Sequence, residues 1–463
     1  MNSTENTEDS ASDVVPWKTG LAFMFAAVAV QLSMEYINQY GPYFLHPPDG
    51  TGRTAYLGLS LIGVAFFAGR ALDALSDIFV GAWSDGCREG RRYVGILGRR
   101  RPFIFWGSLP LVATSILFWM PPDNHPSAAN FIHVAVLLQL HWTALTLCAV
   151  PMMALVPEVA ATPRARTRLG AWIGAGTTIG VLAAIALAGE GIAALDSARH
   201  TAQGGFSAVG YQCVAAILAV VSVLGFQGLV WSVREPLRSG PPPTALGWPV
   251  VRGALRNRIF LNYLLVFALF NIGFLAPQRV LPHWIETALR GDEGTMAEVM
   301  VPFMITSLAA SAAAPLLSRW FSTRGVLFSA LGIVTVSLPF MYPIGHADAD
   351  PLVKLRWAQV LFACSGVGNG LLYVVIFPLI GAIVDAEERR TGARNDAVYF
   401  AFNNITWKAG IAVSIVLATF LLDRFGNAVD RPEGIYLVGP MGGLFGLLAI
   451  ATAWKFPVTD SKG

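Results

Sequence analysis

Val233-Arg-Glu-Pro-Leu-Arg-Ser-Gly-Pro-Pro-Pro243 interrupts a chain that is otherwise a succession of apolar runs. Proline and glycine at this density neither continue a helix nor build a sheet, so the stretch reads as a linker, ending near Arg258. To its left lie apolar runs near residues 18–44, 56–84, 103–121, 131–156, 169–190 and 209–232. To its right lie 259–283, 297–317, 325–343, 356–384, 397–422 and 434–455. A helix needs about 20 apolar residues to cross a bilayer. Each run is of that order, and the break divides them evenly.

Composition agrees. Of 463 residues, 54% are apolar and only 13% charged, against about 25% charged in ordinary soluble domains. Mean hydropathy is +0.56. The expected architecture is therefore an all-α membrane protein with the major facilitator fold: twelve transmembrane helices in two six-helix bundles. Its expected divisions are 1–232, a cytoplasmic linker 233–258, and 259–463. The polar, acidic stretch Met1–Val15 lacks the apolar core of a secretory signal. Cys87, Cys148, Cys213 and Cys364 show no metal-ligand spacing and read as free thiols.

With the N-terminus inside, 22 of the 32 Lys and Arg residues fall on inner segments and 8 on outer loops, leaving Arg70 and Lys408 within spans. That bias places both termini in the cytoplasm of a multi-pass protein of the inner (plasma) membrane.

The chemistry sits in the spans. Helix two carries Gly69-Arg-Ala-Leu-Asp73-Ala-Leu-Ser-Asp77. Asp73 and Asp77 are four apart and share one face. Two mid-span carboxylates are costly unless they meet a partner or a polar cavity, and each raises the other's proton affinity. Helix eleven carries Asn403-Asn-Ile-Thr-Trp-Lys408, whose ammonium has no acid on its own helix and needs one from elsewhere. Two readings stay open. Asp73 and Asp77 hold a coupling ion, proton or sodium, with Lys408 as their charge partner; or Asp73 and Asp77 pair with Arg70 or Lys408 in a static lock.

Helix one carries Glu35, Asn38 and Gln39 at i, i+3 and i+4, one helical face. With Trp142 of helix four they are candidates for a substrate cavity, or for helix packing; His141 reads as a packing residue. After helix two, Asp85 and the Arg99-Arg-Arg101 cluster read as a topology signal or as gating groups at the cytoplasmic face. There is no nucleotide-binding loop, catalytic set or cofactor motif. The expected partners are a small-molecule substrate and membrane lipid, not nucleic acid, with the chain a monomer.

Arg70-Ala-Leu-Asp73-Ala-Leu-Ser-Asp77, followed by Gly81 and Asp85, resembles helix two of the glycoside–pentoside–hexuronide:cation symporters, the melibiose-carrier family. Val150-Pro-Met-Met-Ala-Leu-Val-Pro157-Glu158, then Arg166-Thr-Arg-Leu169, is similar to the end of that family's helix four and the loop beyond. Asp396 through Trp407-Lys408-Ala-Gly410 resembles its helix eleven. Gly98-Arg-Arg-Arg-Pro-Phe103 is similar to a loop of sucrose–proton symporters, and Glu35 to an acid in the first helix of their animal relatives. The resemblance implies that the two aspartates bind the coupling cation and that the lysine lies between cation and sugar. It implies a cation-coupled symporter of a sugar or glycoside working by alternating access. Ala149 stands where the family has a third acid, Ile173 where it has a sugar-contacting arginine, and the helix-one sugar aspartate has no match unless Glu35 substitutes. The missing cation ligand favours a proton, which needs no coordination shell. Two other readings remain: a carrier of a lysolipid or other amphipathic solute, and a non-transporting assembly or sensor relative.

Overall fold

The computed structural model describes residues 15–87, 92–93, 96–160, 162–203, 208–235, 248–320, 322–392 and 396–454. Among the described residues twelve main helices succeed one another: α1 Trp17–Leu45, α2 Leu59–Gly86, α3 Arg101–Leu117, α4 Ala128–Val159, α5 Pro163–Leu182, α6 Val209–Ser232, α7 Arg258–Trp284, α8 Thr295–Trp320, α9 Thr323–Ser337, α10 Pro351–Thr391, α11 Asp396–Phe425 and α12 Glu433–Ala453. A wider π turn, Ala183–Leu187, carries α5 on to Gln203; another, Ile285–Leu289, extends α7; and α9 continues through a 3-10 turn to His346. Among the described residues eleven helices are long and apolar enough to cross a membrane, and α3 is a shorter apolar one. A short helix, Trp248–Arg256, precedes α7, and Arg92–Tyr93 pairs with Ile96–Leu97 in a two-residue antiparallel ladder.

The helix ends follow local chemistry. Thr162 accepts from the Ala165 N–H with Pro163 in the first turn, Asn257 accepts from the N–H groups of Ile259 and Phe260, and Asp350 accepts from Leu352 ahead of α10. Gly392 closes α10 at φ 73°, a conformation a Cβ would strain.

Helix packing repeats when six is added to each label. In the first half α1 packs on α5 and α6, α2 on α4, and α3 on α4 and α6. In the second, α7 packs on α11 and α12, α8 on α10, and α9 on α10 and α12. The halves meet through α1 with α7, α2 with α11, and α8 with the π turn of α5. Small residues allow this closeness: a Cβ on Gly176 or Gly180 of α5 would strike the α1 backbone at Met24 or Val28.

Polar bridges between the halves, among the described residues, run from the middle of the helices to one end, where α1 and α7 finish. Arg53 in the α1–α2 loop pairs with Glu293 and lies 3.2 Å from Glu286. The Tyr43 hydroxyl donates to Glu286 at 2.7 Å, and the Tyr211 hydroxyl donates to Glu293. Asp49 exchanges backbone hydrogen bonds with Asn427 and Val429, and Ser60 donates to Asp423 at 2.6 Å. Burial alone would raise the Glu293 carboxyl, but the adjacent Arg53 guanidinium and the donated hydrogen bonds hold it below its ordinary value. A depressed carboxyl stabilises the closed end above its ordinary titration range, roughly pH 4, and that contribution fades only at more acidic pH. The contribution of the Arg53–Glu293 pair to closure at this end is therefore expected to persist from neutral pH down to about pH 4. Arg53→Gln is expected to speed thiol labelling of a cysteine placed at Asp49 about tenfold, since it strands two carboxylates.

Candidate functional site

The site is built where α2, α4 and α11 meet. The (i, i+4) spacing on α2 points Asp73 and Asp77 the same way, toward α4 and α11. Lys408 of α11 reaches both, its Nζ 2.9 Å from Asp73 Oδ2 and 2.7 Å from Asp77 Oδ2. The hydroxyl of Thr146, on α4, sits 2.8 Å from Asp73 Oδ1 and 3.0 Å from Asp77 Oδ1. It has one proton for two carboxylate oxygens, so it bridges the pair. Asn404, one turn before Lys408, is exposed, and its amide reaches Asp77 at 3.4 Å.

Asp73 is buried at 3% exposure, and Asp77 is half-buried. Their environments differ accordingly. Asp73 also accepts from Arg70 Nη1 at 3.3 Å. Arg70 is itself buried, its guanidinium 3.6 Å from the ring centre of Trp142 and its Nη2 donating to Asn38 at 3.1 Å. Two acids thus face two bases, Lys408 from the other half and Arg70 from the same helix, so the group is formally balanced as it stands. The spacing of Asp73 and Asp77 left Arg70 as an alternative partner. The structure gives Asp73 both.

The helix-one face splits between two jobs. Asn38 holds Arg70. Gln39 donates to the Gln278 carbonyl at 2.6 Å, and Glu35 accepts from Arg279 Nη1 of α7 at 2.8 Å, both groups buried. Glu35, Asn38, Gln39 and Trp142 therefore all lie inside the protein at or beside the junction of the halves. His141 packs as expected, one ring nitrogen 2.9 Å from the Ser33 carbonyl and the other 3.2 Å from Thr114.

Of the candidate gating set, the Asp85 side chain lies outside the described residues. Arg99 pairs with Glu158 and sits 3.6 Å from Glu235; Arg100 lies 2.9 Å from Glu158; and Arg101 Nε donates to the Val230 carbonyl at 2.7 Å. These contacts tie the α2–α3 loop to the ends of α4 and α6, within the first half.

Sequence reasoning missed two residues. Thr146 is uncharged and carries no signal until α4 is docked on α2; its (i, i+3) relation to Ala149, where an acid was expected, is the only hint. Arg279 was counted with the outer loop, yet it lies inside α7 between Pro277 and Pro282. Both prolines are accommodated within the helix, and Arg279 falls inside the apolar run 259–283, so its place is the span and not the loop. Thr146→Val is expected to cut solute uptake about tenfold with little change in melting temperature. It removes a charge-assisted hydrogen bond of about 1.5–3 kcal/mol while keeping the shape.

A buried set of paired charges at the contact of two six-helix halves defines a membrane transporter rather than an enzyme. The chain belongs to the MFS/sugar transport protein family, whose profile matches residues 22–460. It is similar to the glucuronide carrier protein homolog of Escherichia coli, 24% identical over 428 residues covering 88% of this chain and 86% of that one. It is also similar to the inner membrane symporter YicJ of Escherichia coli, 22% identical across 83% of this chain and 79% of the relative. Among solved structures, a bacterial homolog of the human lysosomal transporter Spinster, inward-facing and unoccupied, superposes with TM-score 0.69 at 14% identity, covering 95% of this chain and 97% of that one. The nucleoside transporter NupG gives 0.64 at 12% identity, covering 96% and 98%. The fold is shared with both.

Proposed function

We propose that the protein is a secondary active transporter of the inner membrane that moves a sugar or glycoside together with a proton or sodium ion by alternating access. The observation that carries this reading is Lys408, whose amine lies within 3 Å of both Asp73 and Asp77 across the junction of the halves. A cation arriving at the aspartates competes with Lys408 for their charge, and a displaced Lys408 is free to meet solute. Cation and solute then favour each other's binding, as linkage requires. The bridged end, where α1 finishes, is the closed periplasmic side in this reading, and the exposed Asn404–Asp77 contact is reached from the cytoplasm. The names of the relatives, a glucuronide carrier and a symporter, support the solute class and the mode.

A proton fits the site better than sodium. Protonating Asp77 neutralises it in place, whereas sodium needs several oxygens at fixed distances, and Ala149 supplies none. The experiment is uptake into proteoliposomes under an imposed pH or sodium gradient, across sugars, glycosides and sugar acids. Accumulation above equilibrium that collapses with a protonophore is expected. Equilibration unaffected by either gradient overturns coupling, and no uptake of any of these solutes overturns the solute class.

A further inference from the structure

A second feature lies away from the charged site. Along the far side of the second half, α9 and α10 leave an open groove of about 870 Å³, lined by Gly332, Val336, Phe340 and Ile344 from α9 and Trp357 and Val360 from α10. The lining is almost wholly apolar. Val336 and Val360 are each 65% exposed and Phe340 54%. α9 packs on α10 and α12, so this wall faces the membrane and not the junction of the halves.

The groove has a definite length and a definite mouth. Gly332 to Ile344 spans twelve residues, about 18 Å of helix. That is roughly the depth of one leaflet of a hydrocarbon core about 30 Å thick. Next to the lining residue Trp357, and one turn from Val360 toward the start of α10, stands Arg356. It is exposed and has no hydrogen-bond or ion-pair partner among the described residues. It adjoins Trp357, in the position where membrane helices place aromatic rings at headgroup level. Its neighbouring cation, Lys354, is engaged with the Gly345 carbonyl at 3.1 Å. Asp348 and Asp350 precede α10, eight and six residues ahead of Arg356 in the chain, the latter accepting from the Leu352 N–H.

We propose that this groove is a phospholipid-binding site, with an acyl chain lying along α9 from Ile344 to Gly332 and the phosphate on Arg356. A guanidinium without a protein partner at the rim of an apolar slot matches a molecule that is anionic at one end and hydrocarbon for one leaflet's depth. The acids at Asp348 and Asp350 suit the ammonium of a zwitterionic head better than a net-anionic one. On this basis phosphatidylethanolamine is the preferred occupant over phosphatidylglycerol.

The test uses the purified full chain, delipidated in detergent, with each phospholipid returned and bound lipid counted by native mass spectrometry. Two variants separate the ends of the site. Arg356→Gln removes the phosphate partner. Gly332→Phe fills the slot, where a Cβ meets open space, so it obstructs lipid without disturbing packing. One retained phosphatidylethanolamine per chain is expected, about tenfold weaker in Arg356→Gln and lost in Gly332→Phe, with melting temperatures of the lipid-free variants unchanged. Retention unaffected by both variants overturns the proposal. So does equal retention of a phosphate-free diacylglycerol, or a dimer in wild type that Gly332→Phe dissolves, which makes a second chain the occupant. Solute transport is not the readout, so the result stands apart from the coupling reading.

Discussion

Asp77→Asn is expected to abolish accumulation of solute against its gradient, lowering gradient-driven uptake about 100-fold, while counterflow exchange persists. Asp77 is the aspartate whose charge partner, among the described residues, is Lys408 alone, at 2.7 Å. Asparagine keeps the shape and the Thr146 contact but can neither take a proton nor attract sodium. Asp73 retains Lys408 and Arg70, at 2.9 Å and 3.3 Å, so the remaining charges are two bases to one acid. The site is then locked near the charge state that a loaded cation would give, and coupling is lost rather than binding. A lost coupling free energy of about 3 kcal/mol, the upper end of the usual range, is equivalent to about 100-fold. A static lock makes the opposite prediction: Asp77→Asn lowers the melting temperature, and uptake keeps its dependence on pH. Side-by-side measurement of uptake, exchange and melting temperature decides between the two.

Arg279→Gln is expected to be the most destabilising single change among the charged residues of the membrane core. It leaves Glu35 buried without the guanidinium that balances its charge, at a cost of about 3–5 kcal/mol. Because the partners belong to α1 and α7, on opposite halves, the loss also loosens the junction. Glu35→Gln alone strands Arg279 similarly. The double change Glu35→Gln with Arg279→Gln is expected to recover most of the lost stability, because two neutral amides can still bond across the gap. Thermal unfolding of the two single variants and the double variant in the same detergent measures this. Additive losses in the double variant would show that the two side chains stabilise the protein independently.

How much of this was open to sequence reading depends on the kind of interaction. The hydrocarbon environment allows only backbone that satisfies its own hydrogen bonds, so apolar runs of spanning length could hardly be anything but helices, and the break at 233–243 divided them six and six. Asp73 and Asp77 announced themselves because a charge is costly in a span wherever it points, and four residues on a helix is one face whatever surrounds it. Lys408 needed an acid for the same reason, and only Asp73 and Asp77 in helix two offered a matched pair.

What tertiary structure alone decided was the pairing. That Arg70 serves Asp73 from the same helix, stacked on Trp142 and held by Asn38, depends on how α1, α2 and α4 are rotated against each other. Thr146 is a neutral hydroxyl, free to bond its own helix backbone, and becomes part of the site only because docking places it between two carboxylates. Arg279, near the end of the run 259–283, becomes the buried partner of Glu35 only because α7 continues past Pro277 and docks against α1. Helix formation and burial are fixed by the chain's own composition, since water and lipid sort residues one at a time. Partnership is fixed by distances between helices remote in sequence, which no local pattern encodes.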